Sequence, residues 1–378
     1  MSYRTWIELN QSAVRYNINQ LRSLLAPGVT FCAVVKANAY GHGAKEMIKI
    51  IVEAGVNTFA VDSFDEAQLV RSLLPEATII ILGYTLKESY EDAVRNSFQL
   101  TVYEKNSLLA LESAAARQNK DVGIHLKIET GTCRQGVIKE NLKDILDTLQ
   151  KCPHLQLIGV ATHFATLDDT NDTAFAKYQL DIFHESCAAI AVRGFKPKWR
   201  HCACSSGIIL YPDTHENFVR AGIAIYGLWP STNVEGVVHK HTIRCDLTPV
   251  LTWKTRVAQI KPVAAGAPVG YSLTERVKRD SRIAILPVGY YDGYDRKLSS
   301  VGEVLINGYR CKVLGRVCMN MCMVDVSAVP HVEPEDEVVL LGRSGHYTVS
   351  AEEIAAKIGT ISYEVVARIN PSLPRIVV

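Results

Sequence analysis

Lys36 closes the apolar run Thr30-Phe31-Cys32-Ala33-Val34-Val35 and opens Ala37-Asn38-Ala39-Tyr40-Gly41-His42-Gly43. An ammonium at the end of a buried strand is costly unless it is paired or has chemistry to perform. Burial lowers a lysine's pKa, and a neutral amine is the nucleophile that condenses with an aldehyde. Tyr40 and His42 set polar rings beside it, and Gly41 and Gly43 permit close backbone approach. The plain alternative is a strand-end lysine that snorkels to water. Other candidates recur down the chain: Arg134 within Lys127-Ile128-Glu129-Thr130-Gly131-Thr132-Cys133-Arg134-Gln135-Gly136, then His163, His201, Ser205-Ser206-Gly207 and Arg220-Ala221-Gly222-Ile223. Taken singly, these read as a loop charge, core histidines, a helix cap and a surface arginine.

They form a site only if the fold converges them. Apolar runs at 31–35, 58–62, 78–82, 98–102, 124–128, 157–162 and 219–226, with a weaker one at 199–204, predict strands. Helical patterns separate them: Val14, Ile18, Leu21 and Leu25 share one face of 10–25, and 65–73 and 142–149 behave alike. Alternation of this kind predicts an α/β (β/α)8 TIM-like barrel, whose carboxyl-end loops would gather all the candidates at one mouth. A doubly wound sheet is the runner-up, but its glycine-rich dinucleotide turn is absent after the first strand. Ser205 and the amides of Gly222 and Ile223 suit a phosphate, because a glycine turn offers unpaired N–H donors. A lysine for an aldehyde, a phosphate cradle and an arginine point to pyridoxal 5'-phosphate.

Beyond about residue 240 the texture becomes short and alternating, at 251–260, 282–287, 304–306, 309–313, 321–326 and 337–341, which predicts a C-terminal all-β domain. One helix interrupts it, started by a capping box of Ser350 with Glu353 and stopped by Gly359. The expected division is an N-terminal strand in 1–10 packing on the β domain, a barrel over 11–235, and the β domain over 240–378. The chain has 378 residues, 48% hydrophobic and 21% charged, with net charge +2 and no basic block. That balance excludes a nucleic-acid footprint, no apolar stretch is long enough to span a bilayer, and the first residues lack a signal peptide's core. A cytoplasmic protein is expected. Ten cysteines in a chain of this size read as reduced core thiols. Cys202 with Cys204, and Cys318 with Cys322, lack the further ligands that a metal site needs.

The stretches 33–43, 127–136, 220–227, 270–272, 288–293, 315–319 and 360–364 resemble the alanine racemase family, among the fold type III pyridoxal-phosphate enzymes, over essentially the whole chain. The resemblance implies a homodimer with shared active sites, a small amino-acid substrate, and interconversion of L- and D-alanine for D-alanine biosynthesis and cell-wall precursors. It implies that Lys36 carries the cofactor, and that Tyr40, Ser205, Gly222, Ile223 and Tyr363 bind its phosphate. Arg220 matches the arginine facing the pyridine nitrogen, with His163 and His201 beside it in a hydrogen-bonded chain. Tyr271 matches a second base supplied by the partner subunit. Arg134 matches the residue near the cofactor phenol oxygen and the substrate carboxylate, and Tyr290 and Met319 match entrance and carboxylate contacts. Lys127 occupies a position at which the family often carbamylates a lysine to hold that arginine.

Two bases on opposite sides of a planar carbanion are what racemisation requires. An arginine does not surrender its proton, so a ring nitrogen facing Arg220 would stay unprotonated and transamination would be suppressed. Several positions depart from the family pattern: Asn320 stands for the usual aspartate, Cys204 for asparagine, Thr132-Cys133 for Met-Gly, and Gly270-Tyr271-Ser272 exchanges its flanking residues. These keep open a serine or dual alanine/serine racemase. A basic amino-acid decarboxylase would carry glutamate in place of Arg220, and a non-catalytic pyridoxal-phosphate carrier would resemble the barrel alone.

Overall fold

The computed structural model describes residues 3–169, 171–241 and 243–378. Two units result: Val14–Ala37 with Met47–Leu247, and Met1–Ala13 with Asn38–Glu46 and Thr248–Val378.

Strand β1 (Thr5–Leu9) belongs to the second unit. The next eight make up the first: β2 (Thr30–Val34), β3 (Thr58–Val61), β4 (Thr78–Ile81), β5 (Gln99–Val102), β6 (Val122–Lys127), β7 (Leu155–Ala161), β8 (Trp199–His201) and β9 (Phe218–Ala221). They lie parallel in the order β8-β7-β6-β5-β4-β3-β2-β9. The Arg220 amide donates to the Ala203 carbonyl at 3.1 Å across the remaining seam, so the sheet is a nearly closed barrel. Helices between successive strands cover the outside, which is why Phe59, Ile79, Ile80 and Ile81 are fully buried whichever way they point. The strand expected over 219–226 is shorter. At Gly222 the backbone turns (φ −116°, ψ −105°), and Ile223–Tyr226 forms a tight 3-10 turn closed by Gly227 at φ 76°.

The second unit carries β10 (Leu251–Arg256), β11 (Gln259–Val263), β12 (Pro268–Val269), β13 (Glu275–Arg276), β14 (Ser281–Leu286), β15 (Glu303–Ile306), β16 (Tyr309–Leu314), β17 (Cys322–Asp325), β18 (Glu337–Ser344), β19 (Tyr347–Val349) and β20 (Arg375–Val377). Its main sheet runs β11-β14-β17-β16-β15-β18-β10-β1-β20, with β19 on β18 and β12-β13 apart. All these pairings are antiparallel except β1 with β20, where Glu8 sits opposite Ile376. The single strand expected over 251–260 is two strands. Val257 donates to Asp336 and Ala258 to Ile285, handing the chain from one set of neighbours to another. Two helices interrupt the strands, Ala351–Ile358 and Ser362–Ala367. The first has Ser350 at its N-cap as expected, but the capping box is only half made. Ser350 accepts the Glu353 amide at 3.1 Å, while the Glu353 carboxylate is drawn to Arg310 and Lys357.

Candidate active site

The carboxyl ends of the barrel strands gather Lys36, Lys127, Arg134, His163, His201, Ser205 and Arg220. Lys36 is not sealed off by burial as the sequence suggests. Its side chain keeps 40% of its exposure and donates to Asp62 Oδ1 at 3.2 Å. Glu66 splints this strand end, accepting the Ala37 amide at 2.6 Å and the Asp62 amide at 2.8 Å. Beyond Lys36 the backbone coils the wrong way, with Ala37, Asn38, Ala39 and Tyr40 at φ between 53° and 54°. A left-handed turn costs an L-residue roughly 1–2 kcal/mol, so four in succession mark a place where the surroundings dictate the path.

Arg220 is 7% exposed and held by four hydrogen bonds. One terminal nitrogen donates to His201 Nδ1 and, at 2.8 Å, to the His201 carbonyl; the other donates to the carbonyls of Thr162 at 2.7 Å and Cys202 at 3.2 Å. Every acceptor is neutral. Among the described residues no carboxylate pairs with this guanidinium and none accepts its Nε–H. His201 Nε2 in turn lies 2.8 Å from His125 Nδ1, and His125 Nε2 lies 3.0 Å from Gln99 Oε1. The hydrogen-bonded chain expected through His163 and His201 therefore runs through His201, His125 and Gln99. His163 is linked to Arg220 by charge alone: burial, then Arg220, Arg134, Lys127 and Lys36, push its imidazole down to about 3. Burial and Arg220 push His125 down to about 3 as well, and His201 well below its ordinary value. All three histidines are neutral.

Lys127, at the end of β6, donates to Gln135 Oε1 at 2.9 Å. Burial lowers its pKa to about 8, helped by Arg220 and Arg134. The loop that carries Arg134 is wound on Glu129. The amides of Gly131 (2.6 Å), Cys133 (3.0 Å) and Arg134 (3.2 Å) all donate to that carboxylate, and they outweigh its burial to hold its pKa below the usual value. Gly136 shuts the loop, because a Cβ there would stand 2.5 Å from the Glu129 nitrogen. Arg134 itself is exposed. Ser205 Oγ accepts the Gly222 amide at 3.1 Å and the Ala224 amide at 3.4 Å, so the hydroxyl and the glycine turn converge as expected while the Gly222 amide is already engaged.

The second unit holds the remaining candidates. Tyr40 and Tyr363 pair with ring centroids 6.0 Å apart, and Gly41 lets this segment pass Val366, whose oxygen would lie 1.9 Å from an added Cβ. Tyr271, Tyr290 and Met319 sit on three loops spliced by glycines. Gly289 abuts the carbonyls of Cys318 and Met319 (2.2 and 2.4 Å from an added Cβ), and Gly315 abuts that of Val269 at 2.4 Å. The loops leave Tyr271 70%, Tyr290 42% and Met319 54% exposed. Sequence reasoning passed over Gln99, His125, Asp62 and Glu66. The signal for the first two was present: a polar residue set between Phe98 and Leu100, and another between Ile124 and Leu126.

Residues 9–230 match the family model of the alanine racemase N-terminal domain, and residues 250–377 match that of the C-terminal domain. The chain is 39% identical over 373 residues to an alanine racemase of Carboxydothermus hydrogenoformans, covering 99% of each. It is 37% identical over 379 residues to one from Methanococcus maripaludis, covering 100% of this chain and 99% of the relative. Among solved structures, an alanine racemase of Bacillus anthracis with bound L-Ala-P superposes with a TM-score of 0.93 at 34% identity, covering 100% of this chain and 96% of that one. The Clostridium difficile alanine racemase gives 0.93 at 32% identity with the same coverage. Both domain models match in order over nearly the full length, on a barrel whose mouth collects the lysine and the clamped arginine. The chain belongs to the alanine racemase family.

Proposed function

We propose that this chain is a pyridoxal-phosphate-dependent alanine racemase that works as a homodimer. Residues 11–235 bind the cofactor, 240–378 supply the second base, and 1–10 pack as a strand on that β domain. The observation that carries the reading is Arg220. Its terminal nitrogens are fastened to neutral acceptors, and among the described residues its charge has no carboxylate partner and its Nε–H is left as the donor for an incoming acceptor. A buried cation so arranged fits a ring nitrogen that must be hydrogen-bonded without being protonated. Lys36, Lys127 and Arg134 add positive charge that suits a phosphate and a carboxylate.

When bound, pyridoxal phosphate supplies an electron-withdrawing ring that acidifies the Cα–H of an amino acid. Lys36 holds the cofactor; Tyr40, Ser205, Gly222, Ile223 and Tyr363 hold the phosphate; His163 lies beside the ring. Arg134 takes the substrate carboxylate, with Tyr290 and Met319 at the entrance. The Lys36 amine takes or returns the Cα proton on one face, and the Tyr271 phenol of a second copy does so on the other. A phenol ordinarily titrates near about 10, so this base needs cations nearby. His163, being neutral, is not one of them, which leaves Arg220 and its neighbours. With its pKa near 8, Lys127 keeps a neutral fraction able to add carbon dioxide, and the carbamate would answer the charges of Arg220 and Arg134.

The relatives compared are named for alanine and do not favour serine. The test is a panel of α-deuterated L-amino acids followed by chiral chromatography. D-alanine formed with loss of deuterium and without carbon dioxide supports the proposal. Carbon dioxide release identifies a decarboxylase, silence a carrier, and faster turnover of serine overturns the substrate assignment.

A further inference from the structure

The interior of a (β/α)8 barrel is normally filled by apolar layers. Here one line of side chains through it is polar: Gln99 on β5, His125 on β6, His201 on β8 and Arg220 on β9. Buried polar groups persist where every member is satisfied, and a partly satisfied line is worse than none.

Donor and acceptor roles along the line follow from its end. A guanidinium can only donate, so His201 Nδ1 must be a lone pair. His201 therefore carries its proton on Nε2 and donates to His125 Nδ1. His125 carries its proton on Nε2 and donates to Gln99 Oε1. The side-chain carbonyl of Gln99 terminates the line as an acceptor.

Gly159 makes the line physically continuous. It lies on β7, between β6 and β8, opposite His125 in one register and Trp199 in the other. A Cβ at Gly159 would stand 2.1 Å from His125 Nδ1, the atom that meets His201. Its φ is not in the left-handed region, so space rather than backbone freedom explains this glycine. Trp199 stacks on the His125 ring at 5.9 Å and 10°, fixing the ring plane from the other side.

We propose that Gln99, His125 and Gly159 are positioning residues that fix the polarity of a four-membered hydrogen-bond line and so hold Arg220 with its Nε–H free for the group it serves. The inference rests on the racemase reading for that group, but the polarity of the line does not. A residue that cannot accept at position 99 leaves the His125 Nε2–H buried without a partner, a cost that opposes the polarity set from the Arg220 end and favours the reversed line. His201 can then turn its proton toward Arg220, and the guanidinium loses a partner.

The test compares wild type with Gln99→Leu, Gln99→Glu and Gly159→Ala. Long-range proton–nitrogen correlation spectra of the cofactor-free protein read the histidine tautomers. In the holoenzyme, the ratio of racemisation to the transamination side reaction is measured. Wild type should show His125 and His201 neutral and protonated on Nε2 alone. Gln99→Leu should mix the His125 tautomers and lower the ratio about tenfold, the loss of one oriented bond in a charged network. Gln99→Glu keeps the acceptor and should recover most of the ratio. Gly159→Ala should separate the two histidine signals' behaviour without altering any titrating group; if it does not fold, the two Gln99 variants decide. Nδ1 protonation of His201 in wild type, or a Gln99→Leu protein with unchanged tautomers and an unchanged ratio, overturns the proposal. A wild-type protein with the stated tautomers and no action on alanine overturns the functional reading instead.

Discussion

A lysine whose pKa falls to about 8 is neutral in roughly a tenth of molecules at pH 7, against fewer than about one in a thousand for an ordinary side chain. Lys127 should therefore take up labelled bicarbonate as a carbamate signal that grows as pH rises through 8, and Lys127→Arg should abolish that signal and weaken substrate binding about tenfold. Absence of label in wild type removes the carbamate from the account. Ala37 offers a second test at this scale. It is exposed and sits at φ 53°, so Ala37→Gly should stabilise the fold by about 1 kcal/mol in urea titrations. Lys36 and Arg220 were legible because a charge that ends or interrupts an apolar run is costly and visible. Gln99 and His125 carried a fainter signal, since one polar residue per strand looks like ordinary alternation until its partner on another strand is known.

At the scale of elements, glycine and charge fasten what hydrophobic pattern lays down. The periodicity that gives the barrel strands cannot show that Gly222 ends the last of them or that residues 257 and 258 change partners, because both are decided by long-range backbone bonds. The helix Ala351–Ile358 was legible from Ser350 and Gly359, yet the acid meant for its cap serves elsewhere. Glu353 meets Arg310 at 2.8 Å and Lys357 at 2.8 Å, and Glu303 joins both cations. Arg310 leads in holding the Glu353 carboxyl down to about 2. Its contribution is thus complete above the ordinary carboxylate range and fades as pH falls toward 2. Glu353→Gln should cost about 1 kcal/mol near neutrality, given that the network is only half buried, and nothing near pH 2. An equal cost at both pH values would show packing to be responsible.

For the whole molecule, burial leaves His125 and His201 neutral, with folded pKa values below the ordinary 6.5. For His125 the unfolded chain then binds more protons than the folded one between about 6.5 and 3, and His201 acts in the same direction below 6.5. Stability should fall across that window as pH drops, by up to about 1.4 kcal/mol per pH unit for each histidine. Replacing His125 with Gln should flatten the slope seen in urea midpoints; an unchanged slope would place the acid sensitivity elsewhere. Tyr271, Tyr290 and Met319 are exposed on glycine-spliced loops, where the proposed homodimer would cover them. Mixing inactive Lys36→Ala and Tyr271→Phe chains should restore about a quarter of wild-type turnover if each base comes from a different copy, and none if both come from one. No helix among the described residues is long and apolar enough to cross a membrane.

The guanidinium with no anion to answer it has a further consequence for how the protein matures. Like charges crowded around one opening repel; Asp62 answers Lys36 and Glu129 offsets Lys127 in part, but among the described residues Arg220 has no carboxylate partner, so a visitor that brings negative charge would relieve it. Protein without an anion at this opening should therefore melt more easily than protein holding one, and inorganic phosphate or sulfate should firm it as its concentration rises. If the proposed cofactor is the anion that answers Arg220, its uptake would be the last step of folding as much as the first step of catalysis.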